Sequence, residues 1–338
     1  MRPNLSPQLV VLVLFFVVAA LLPFGVDPRG HVLRVAAMAL LFAATAQAWN
    51  IVGGLANQIS LGHAAFFGIG AYTSTLLYLR LGVSPWIGLV AGAVLAAGAA
   101  ALLSLPTFRL KGHYFALVTL AFAEVLRVVA NSWAGLTGGP LGLTIPFVGS
   151  KPWLFAFRSV SSYYWIIVGL LILVCLVFHW LASGANACRL RAVRENEDAA
   201  EVAGVDTFRV KLIASIVSAA LTGVCGTVFA QFTYYFDPDS IFSLAGISVR
   251  VAMITIVGGL GRLAGPIVGA LFLIPLEEVA NATFSSKAAG LSQLVFALVL
   301  IAAILIEPHG IMALRPKQWS GRAAGAVTRL LGQRAWAR

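Results

Sequence analysis

Few of the side chains able to do covalent chemistry stand where chemistry would need them. The five histidines, His31, His63, His113, His179 and His309, are scattered, with no Ser–His pair or carboxylate cluster at catalytic spacing beside them. Cys175, Cys188 and Cys225 form no C-x-x-C and no Cys/His metal spacing, so no metal site is expected. No Gly-x-x-x-x-Gly-Lys-[Ser/Thr] loop occurs, so the chain is not expected to cradle nucleotide phosphates itself. What stands out is a different chemistry: ionisable groups inside apolar runs. Glu124 and Arg127 lie at i, i+3 and can pair with each other. Arg250 has no acid near it in sequence, and Glu277 and Glu278 stand together further on. A charge at the bilayer centre costs about 2.5–3.5 kcal/mol on insertion scales. Such groups either pair or snorkel to the interface, or they face a transport path.

The apolar runs that carry these groups dominate the chain. Of 338 residues, 60% are hydrophobic and only 10% are charged, and the mean hydropathy is +0.94. A soluble domain has about a quarter of its residues charged, so here lipid must stand in for the missing polar shell. The expected fold is all-α, a polytopic transmembrane bundle. Segments near the length of about 20 apolar residues that a spanning helix needs lie at 8–25, 32–52, 62–80, 85–106, 112–132, 162–182, 208–235, 241–259, 265–283 and 289–307. The third and eighth are short or Gly-rich and are candidates for broken or re-entrant helices, so the count runs from eight to ten. Residues 8–25 resemble a signal peptide, but Phe24-Gly25-Val26-Asp27 offers no convincing cleavage site, so they are read as a retained first helix.

Lysines and arginines resist translocation and set orientation. With the N-terminus inside, the inner segments hold Arg2, Arg109, Lys111, Arg189, Arg191, Arg194, Arg209, Lys211, Arg262 and the basic residues from Arg315 onward. The outer segments hold only Arg29, Arg34, Arg80, Lys151, Arg158 and Lys287. The bias places both termini in the cytoplasm. The net charge of +11 then suits loops facing an anionic leaflet, and no nucleic-acid partner is expected. Residues 1–310 form one membrane unit, followed by a basic cytoplasmic tail, 311–338. The outer loop 133–161 carries Trp133 and Trp153, with Tyr163 and Tyr164 just beyond it, all suited to the interfacial belt.

Two stretches open with the same five residues, Ile-Val-Gly-Gly-Leu, at 51–55 and 256–260. Both stand where one span ends and another begins, and both would share one orientation. Glycine permits close helix approach, and interrupted helices often line transporter sites; a tight turn is the alternative. A third glycine stretch, 136–142, sits in the outer loop. Inside, the segment 188–211 is rich in Ala, Glu, Arg and Val, with Gly204 placed as a helix C′ residue. A short surface helix over about 191–203 is expected, with Ala199, Ala200, Val202 and Ala203 forming a small apolar face that would dock into a partner's groove.

The run Asp198-Ala199-Ala200-x-x-x-Gly204 resembles the coupling-loop motif of ABC importer membrane subunits, with Asp198 where the motif has Glu. The longer run at 191–201, Arg-Ala-Val-Arg-Glu-Asn-Glu-Asp-Ala-Ala-Glu, is similar to the branched-chain amino acid permeases of the high-affinity uptake system. So are Gly112 to Leu120, Thr137 to Pro140, Gly258 to Gly261 with Gly265-Pro266, and Glu307 to Gly310. Their order is closest to the second of that system's two permease types. Leu141, where a polar residue is expected, and Arg250, where relatives carry an acid, depart from the pattern and bear on the substrate.

The resemblance implies a heterodimer with a second permease subunit, two cytoplasmic ATP-binding subunits that hydrolyse the ATP, and a periplasmic substrate-binding protein. The chain itself would bind no cofactor. It would sit in the bacterial inner membrane and carry Leu, Ile or Val by alternating access; relatives also handle urea, short amides and other small amino acids. Coupling to the ATPase would fall to Arg194, Glu195, Asn196, Asp198, Ala199, Ala200, Glu201 and Gly204. The pathway would run by Asn50, Gly53, Gly54, Ser60, Gly62 and His63, by Thr137, Gly138, Gly139 and Pro140, and by Gly258, Gly259, Gly261, Gly265 and Pro266, with Glu124 as a further candidate.

Overall fold

The helix α2, His31–Asn50, is the hub, and its composition explains why. Its many alanines leave little between its backbone and its neighbours, so helices pack on every side of it. Ala37, Ala39, Ala43, Ala44, Ala46 and Ala48 are all buried. The computed structural model describes residues 7–25, 27, 30–107, 113–147, 149–284 and 310–313, with five positions between 294 and 305. The expected span at 289–307 lies largely outside the described residues. So do Arg2, Arg29, Arg109, Lys111, Gly112, Lys287, the motif residues 307–309 and the tail from 314.

The helices in chain order are α1 (Pro7–Gly25), α2, α3 (His63–Leu81), α4 (Pro85–Thr107), α5 (His113–Ser132) and the short α6 (Ala134–Thr137). There follow α7 (Val160–Leu181), α8 (Gly184–Glu195), α9 (Glu197–Val202), α10 (Thr207–Thr233), the short α11 (Pro238–Ile241), α12 (Arg250–Gly258) and α13 (Gly265–Phe284). Seven runs among the described residues are long and apolar enough to cross a membrane: His31–Leu55, Pro85–Thr107, Tyr114–Ser132, Val160–Leu181, Thr207–Thr233, Pro238–Gly258 and Gly265–Thr283. The helices α1 and α3, each of 19 residues, complete the spans that the sequence predicts up to 283.

Around the hub, α13, α7, α10 and α12 pack on α2, while α3, α4 and α10 form a second, tightly joined trio. The trio is a glycine seam. A Cβ at Gly70 would run into the Gly223 backbone, one at Gly226 into the Phe67 carbonyl, and one at Gly92 would lie 3.1 Å from Gly70 Cα. The Thr227 hydroxyl donates to the Gly70 carbonyl across the same contact at 2.9 Å.

The third span is thus a continuous helix, its glycines used for close packing. The eighth is broken: α11 leads into a π-helical turn, Leu244–Val249, and only then into α12. Ser243 caps that turn by accepting from Gly246 N at 2.9 Å. Arg250, the first residue of α12, pairs with Glu277 of α13 and lies over the Phe42 ring, 5.1 Å from its centroid. Pairing is therefore the way this charge is accommodated.

The connections sort to two ends, as the alternating topology requires. At the loop-rich end, β1 (Leu143–Thr144) pairs antiparallel with β2 (Tyr235–Phe236) at the end of α10, Leu143 opposite Phe236 and Thr144 opposite Tyr235. Ser84 donates to Trp153 O and Trp86 Nε1 to Pro152 O at 2.9 Å, tying the 133–161 loop to α4. Tyr163 and Tyr164, expected to suit the interfacial belt, face protein rather than surroundings. Both are buried, because their hydroxyls find protein acceptors: Tyr163 donates to Phe155 O and Tyr164 to Ala19 O, each at 2.7 Å. Trp133 and Trp153 remain exposed.

Candidate functional site

At the end opposite the 133–161 loop, the two Ile-Val-Gly-Gly-Leu stretches meet each other. The α-helical ladder of α2 slips into a π-turn, Ile51–Leu55, and the chain reverses through Asn57, which adopts a left-handed φ of 54°. The second stretch ends α12 and turns through Gly259 and Gly261, with φ of 128° and 72°, before Pro266 opens α13. Asn50 joins the two. Its Oδ1 accepts from Gly261 N at 2.8 Å and its Nδ2 donates to Arg262 O at 3.0 Å. Asn50 is fully buried, so those are the partners that make its burial affordable. The glycines are required by contact: Gly53 lies against the Trp49 indole, Gly54 against Gly261, and Gly258 against the Gly265 backbone. Trp49 Nε1 in turn donates to Ser60 O at 2.8 Å, holding the returning chain.

His63, which opens α3, is tied into the same region. The Ser218 hydroxyl donates to Ala48 O at 2.7 Å and lies 2.9 Å from His63 Nε2. A hydroxyl has one proton to give, so His63 donates through Nε2 and its Nδ1 is left as an acceptor. Among the described residues neither Nδ1 nor Ser215 Oγ has a hydrogen-bond partner, and both residues line a small cavity of about 10 Å³. Gly62 is held against Thr119, whose hydroxyl accepts from Leu61 N at 3.0 Å.

The segment 188–211 touches this junction. Arg194 Nη1 donates to Gly54 O at 2.9 Å. Where one helix over 191–203 was expected, there are two, α8 and α9, broken at Asn196. Its φ of −160° is extended, and its side chain accepts from Ala199 N at 3.1 Å, capping the second helix. The apolar face expected of α9 also differs. Ala200 points inward and is buried, while Ala199, Val202 and Ala203 are exposed. Gly204 closes α9 as a C′ residue with φ of 83°, with Val205 N donating to Ala200 O at 2.9 Å and Gly204 N to Glu201 O at 2.9 Å. Glu195, Asp198 and Gly204 are exposed.

Sequence reasoning passed over what anchors α9. Glu197 and Glu201, four apart, meet Lys211 and Thr207, four apart on α10. Lys211 pairs with Glu197, and Thr207 Oγ1 donates to Glu201 Oε1 at 2.6 Å. Both α10 side chains are buried. The matching i, i+4 spacings are the signal that was available.

The remaining predicted residues are elsewhere. Thr137, Gly138, Gly139 and Pro140 form a turn at the loop-rich end, closed by Thr137 Oγ1, which lies 2.9 Å from Trp133 O and accepts from Gly139 N at 3.2 Å. Glu124 belongs to that end too. It pairs with Arg127, whose Nε donates to both its oxygens at 3.0 Å, and Arg127 also pairs with Asp239 of α11. Asn131 Nδ2 donates to Asp239 at 2.9 Å. The predicted site residues thus divide into a junction around Asn50 and a charged group at the other end.

The junction yields a direct expectation. Asn50→Leu keeps the volume but leaves Gly261 N and Arg262 O unpaired in a buried site. A loss of about 2–4 kcal/mol is expected, at about 1–3 kcal/mol per orphaned group less partial relaxation, read as a lower thermal midpoint in detergent. An unchanged midpoint would show that the two turns hold each other without the carboxamide.

The profile of the family described as branched-chain amino acid transport system / permease component matches residues 31–304. The high-affinity branched-chain amino acid transport system permease protein LivM of Salmonella typhimurium is 31% identical over 94% of this chain and 79% of its own length. The LivM protein of Escherichia coli K12 is 30% identical over the same shares. The corresponding LivH protein of Escherichia coli K12 is 24% identical over 82% of this chain and 92% of its own length. No solved structure matches the chain.

Proposed function

We propose, on the premise that the chain belongs to the permease-component family of branched-chain amino acid transport systems, that it is the membrane subunit of an ATP-driven importer. It carries leucine, isoleucine and valine across a bacterial inner membrane by alternating access. Its termini are cytoplasmic, and its partners are a second permease, two ATP-binding subunits and a periplasmic binding protein. The similarity to both LivM and LivH proteins supports the pairing of two permeases.

The observation that carries the reading is the hydrogen bond from Arg194 to Gly54 O. It joins the segment resembling a coupling loop to the place where two helices are interrupted. In the proposed cycle, closure of the ATP-binding subunits presses on α8 and α9, and exposed Gly204, Val202 and Asp198 face them. Displacement of α8 pulls through Arg194 on the π-turn of α2, and Asn50 carries it to the turn between α12 and α13. Backbone with weak helical hydrogen bonding is the part most readily reshaped. At the far end, α5 is mostly unburied yet carries Glu124 and Arg127. Charges on an exposed face of a spanning helix are costly against lipid even when paired, which supports placing the second permease over this face, with the path beside it.

The test is uptake of radiolabelled leucine into liposomes holding both permeases, the ATP-binding subunits and the binding protein, with and without ATP, for the wild type and Gly204→Arg. A Cβ at Gly204 meets nothing within 4 Å, but the φ of 83° strains any side chain there, so assembly of the complex is the control that separates a lost docking surface from a disturbed α9 cap. ATP-dependent uptake, lost in the variant while the complex still assembles, is the expected result. Uptake driven by an ion gradient without ATP would overturn the importer reading. Stimulated ATP hydrolysis without leucine uptake would keep the importer and replace the substrate.

A further inference from the structure

Where α7 ends and α10 begins, a cleft of about 420 Å³ opens between these helices and α8. Its walls are of two kinds. Leu181, Leu190, Val210, Ile213 and Ala214 make an apolar side, and Asn186, Arg189, Asp206 and Arg209 make a polar one. Trp180 stands at the edge, 62% exposed. The apolar side continues as a track of exposed residues up α7, Leu173, Leu176 and Trp180, at the i, i+3, i+7 spacing of one helix face. Arg209 is paired with Asp206 at 2.9 Å. Arg189 is exposed and has no ion-pair partner among the described residues. The cleft therefore presents one uncompensated cation at the level where two spans leave the membrane, below a lipid-facing apolar track and beside a tryptophan.

We propose that this cleft binds one anionic phospholipid, with the phosphodiester on Arg189 and an acyl chain along Leu176 and Leu173. The geometry matches the amphipathic form of such a molecule at both ends. An arginine at the mouth recognises phosphate by paired N–H donors, basic pockets between spanning helices on the cytoplasmic side suit anionic headgroups, and tryptophan favours the interface. Gly204 lines the same cleft, so the bound lipid would brace the corner between α9 and α10. The inference rests only on the chain being a multi-pass membrane protein, and not on what is transported.

The experiment titrates the purified chain in neutral detergent with phosphatidylglycerol or phosphatidylcholine and counts retained lipids by native mass spectrometry. One phosphatidylglycerol is expected to be retained preferentially. Arg189→Ala is expected to weaken its retention about fivefold, the effect of one basic residue at an anionic surface. Arg191→Ala, the same charge change on the same helix but outside the cleft, should leave it unaltered. Trp180→Ala should weaken retention of both lipids. Equal retention of the two lipids, or equal losses in Arg189→Ala and Arg191→Ala, would overturn the proposal by showing only diffuse attraction. Expulsion of the lipid when the ATP-binding subunits are added would overturn it in favour of a protein docking surface. Because the readout is retention, a chain that fails to transport leucine still answers the question.

Discussion

Gly54→Ala is expected to abolish leucine uptake and to destabilise the protein by about 3–5 kcal/mol, combining overpacking with lost hydrogen bonds. A Cβ there would overlap Asn50 Oδ1 and lie 2.6 Å from Gly261 N and 2.8 Å from Gly261 Cα. Two of those three atoms are backbone, so no rotamer change relieves the clash, and the Asn50 bridge must open. The same shift would move Gly54 O away from Arg194. Gly98→Ala on α4 is the matched control, since a Cβ there meets nothing within 4 Å. It should be neutral, or stabilising by up to about 1 kcal/mol through helix propensity. Thermal midpoints and uptake measured side by side decide the matter. A Gly54→Ala protein with wild-type stability would show that the two glycine turns are not in rigid contact.

Glu197→Gln is expected to cost about 3–5 kcal/mol, because it strands a charge. Lys211 is only 3% exposed, and Glu197 is its ion-pair partner. Removing one member of a buried pair leaves the other desolvated and uncompensated. Replacing both, as Glu197→Gln with Lys211→Met, removes the stranded charge and should recover most of the loss. Thermal unfolding of the two single variants and the double variant gives the coupling directly. If Glu197→Gln alone were as stable as the wild type, α9 would not be anchored through this pair. The double variant also separates stability from coupling: it should fold well yet hold α9 to α10 only through Glu201 and Thr207.

The class of fold was legible because composition leaves a chain this apolar no other home, and the approximate positions of the spans followed from the length of the apolar runs. What sequence did not reveal is which faces are inside. The helices α2 and α4 are both continuous apolar runs, yet most of the first is buried and most of the second is not. A helix apolar on every side carries no periodic signal of its buried face. The difference lies in what packs on it, which for α2 is set by alanines that fit four neighbours. The burial of Tyr163 and Tyr164 was hidden for a related reason: nothing in sequence announces the acceptors on Phe155 and Ala19 that their hydroxyls meet. The identical glycine stretches marked where two helices are interrupted, while their mutual contact depends on Asn50, one residue before the first of them. The break at Asn196 was written in its side chain's ability to cap, which competes with helix continuation.

The glycine seam joining α3, α4 and α10 has a mechanical consequence. Backbone touches backbone at Gly70 and Gly223 and at Gly226 and Phe67, and such contacts exist in one register only. Sliding any of the three by a helical turn would drive bulky side chains such as Phe67 into a space that now holds none. The trio is therefore expected to move as a single rigid body, with any shape change of a transport cycle falling at its borders with the interrupted helices and with the sparsely packed α5.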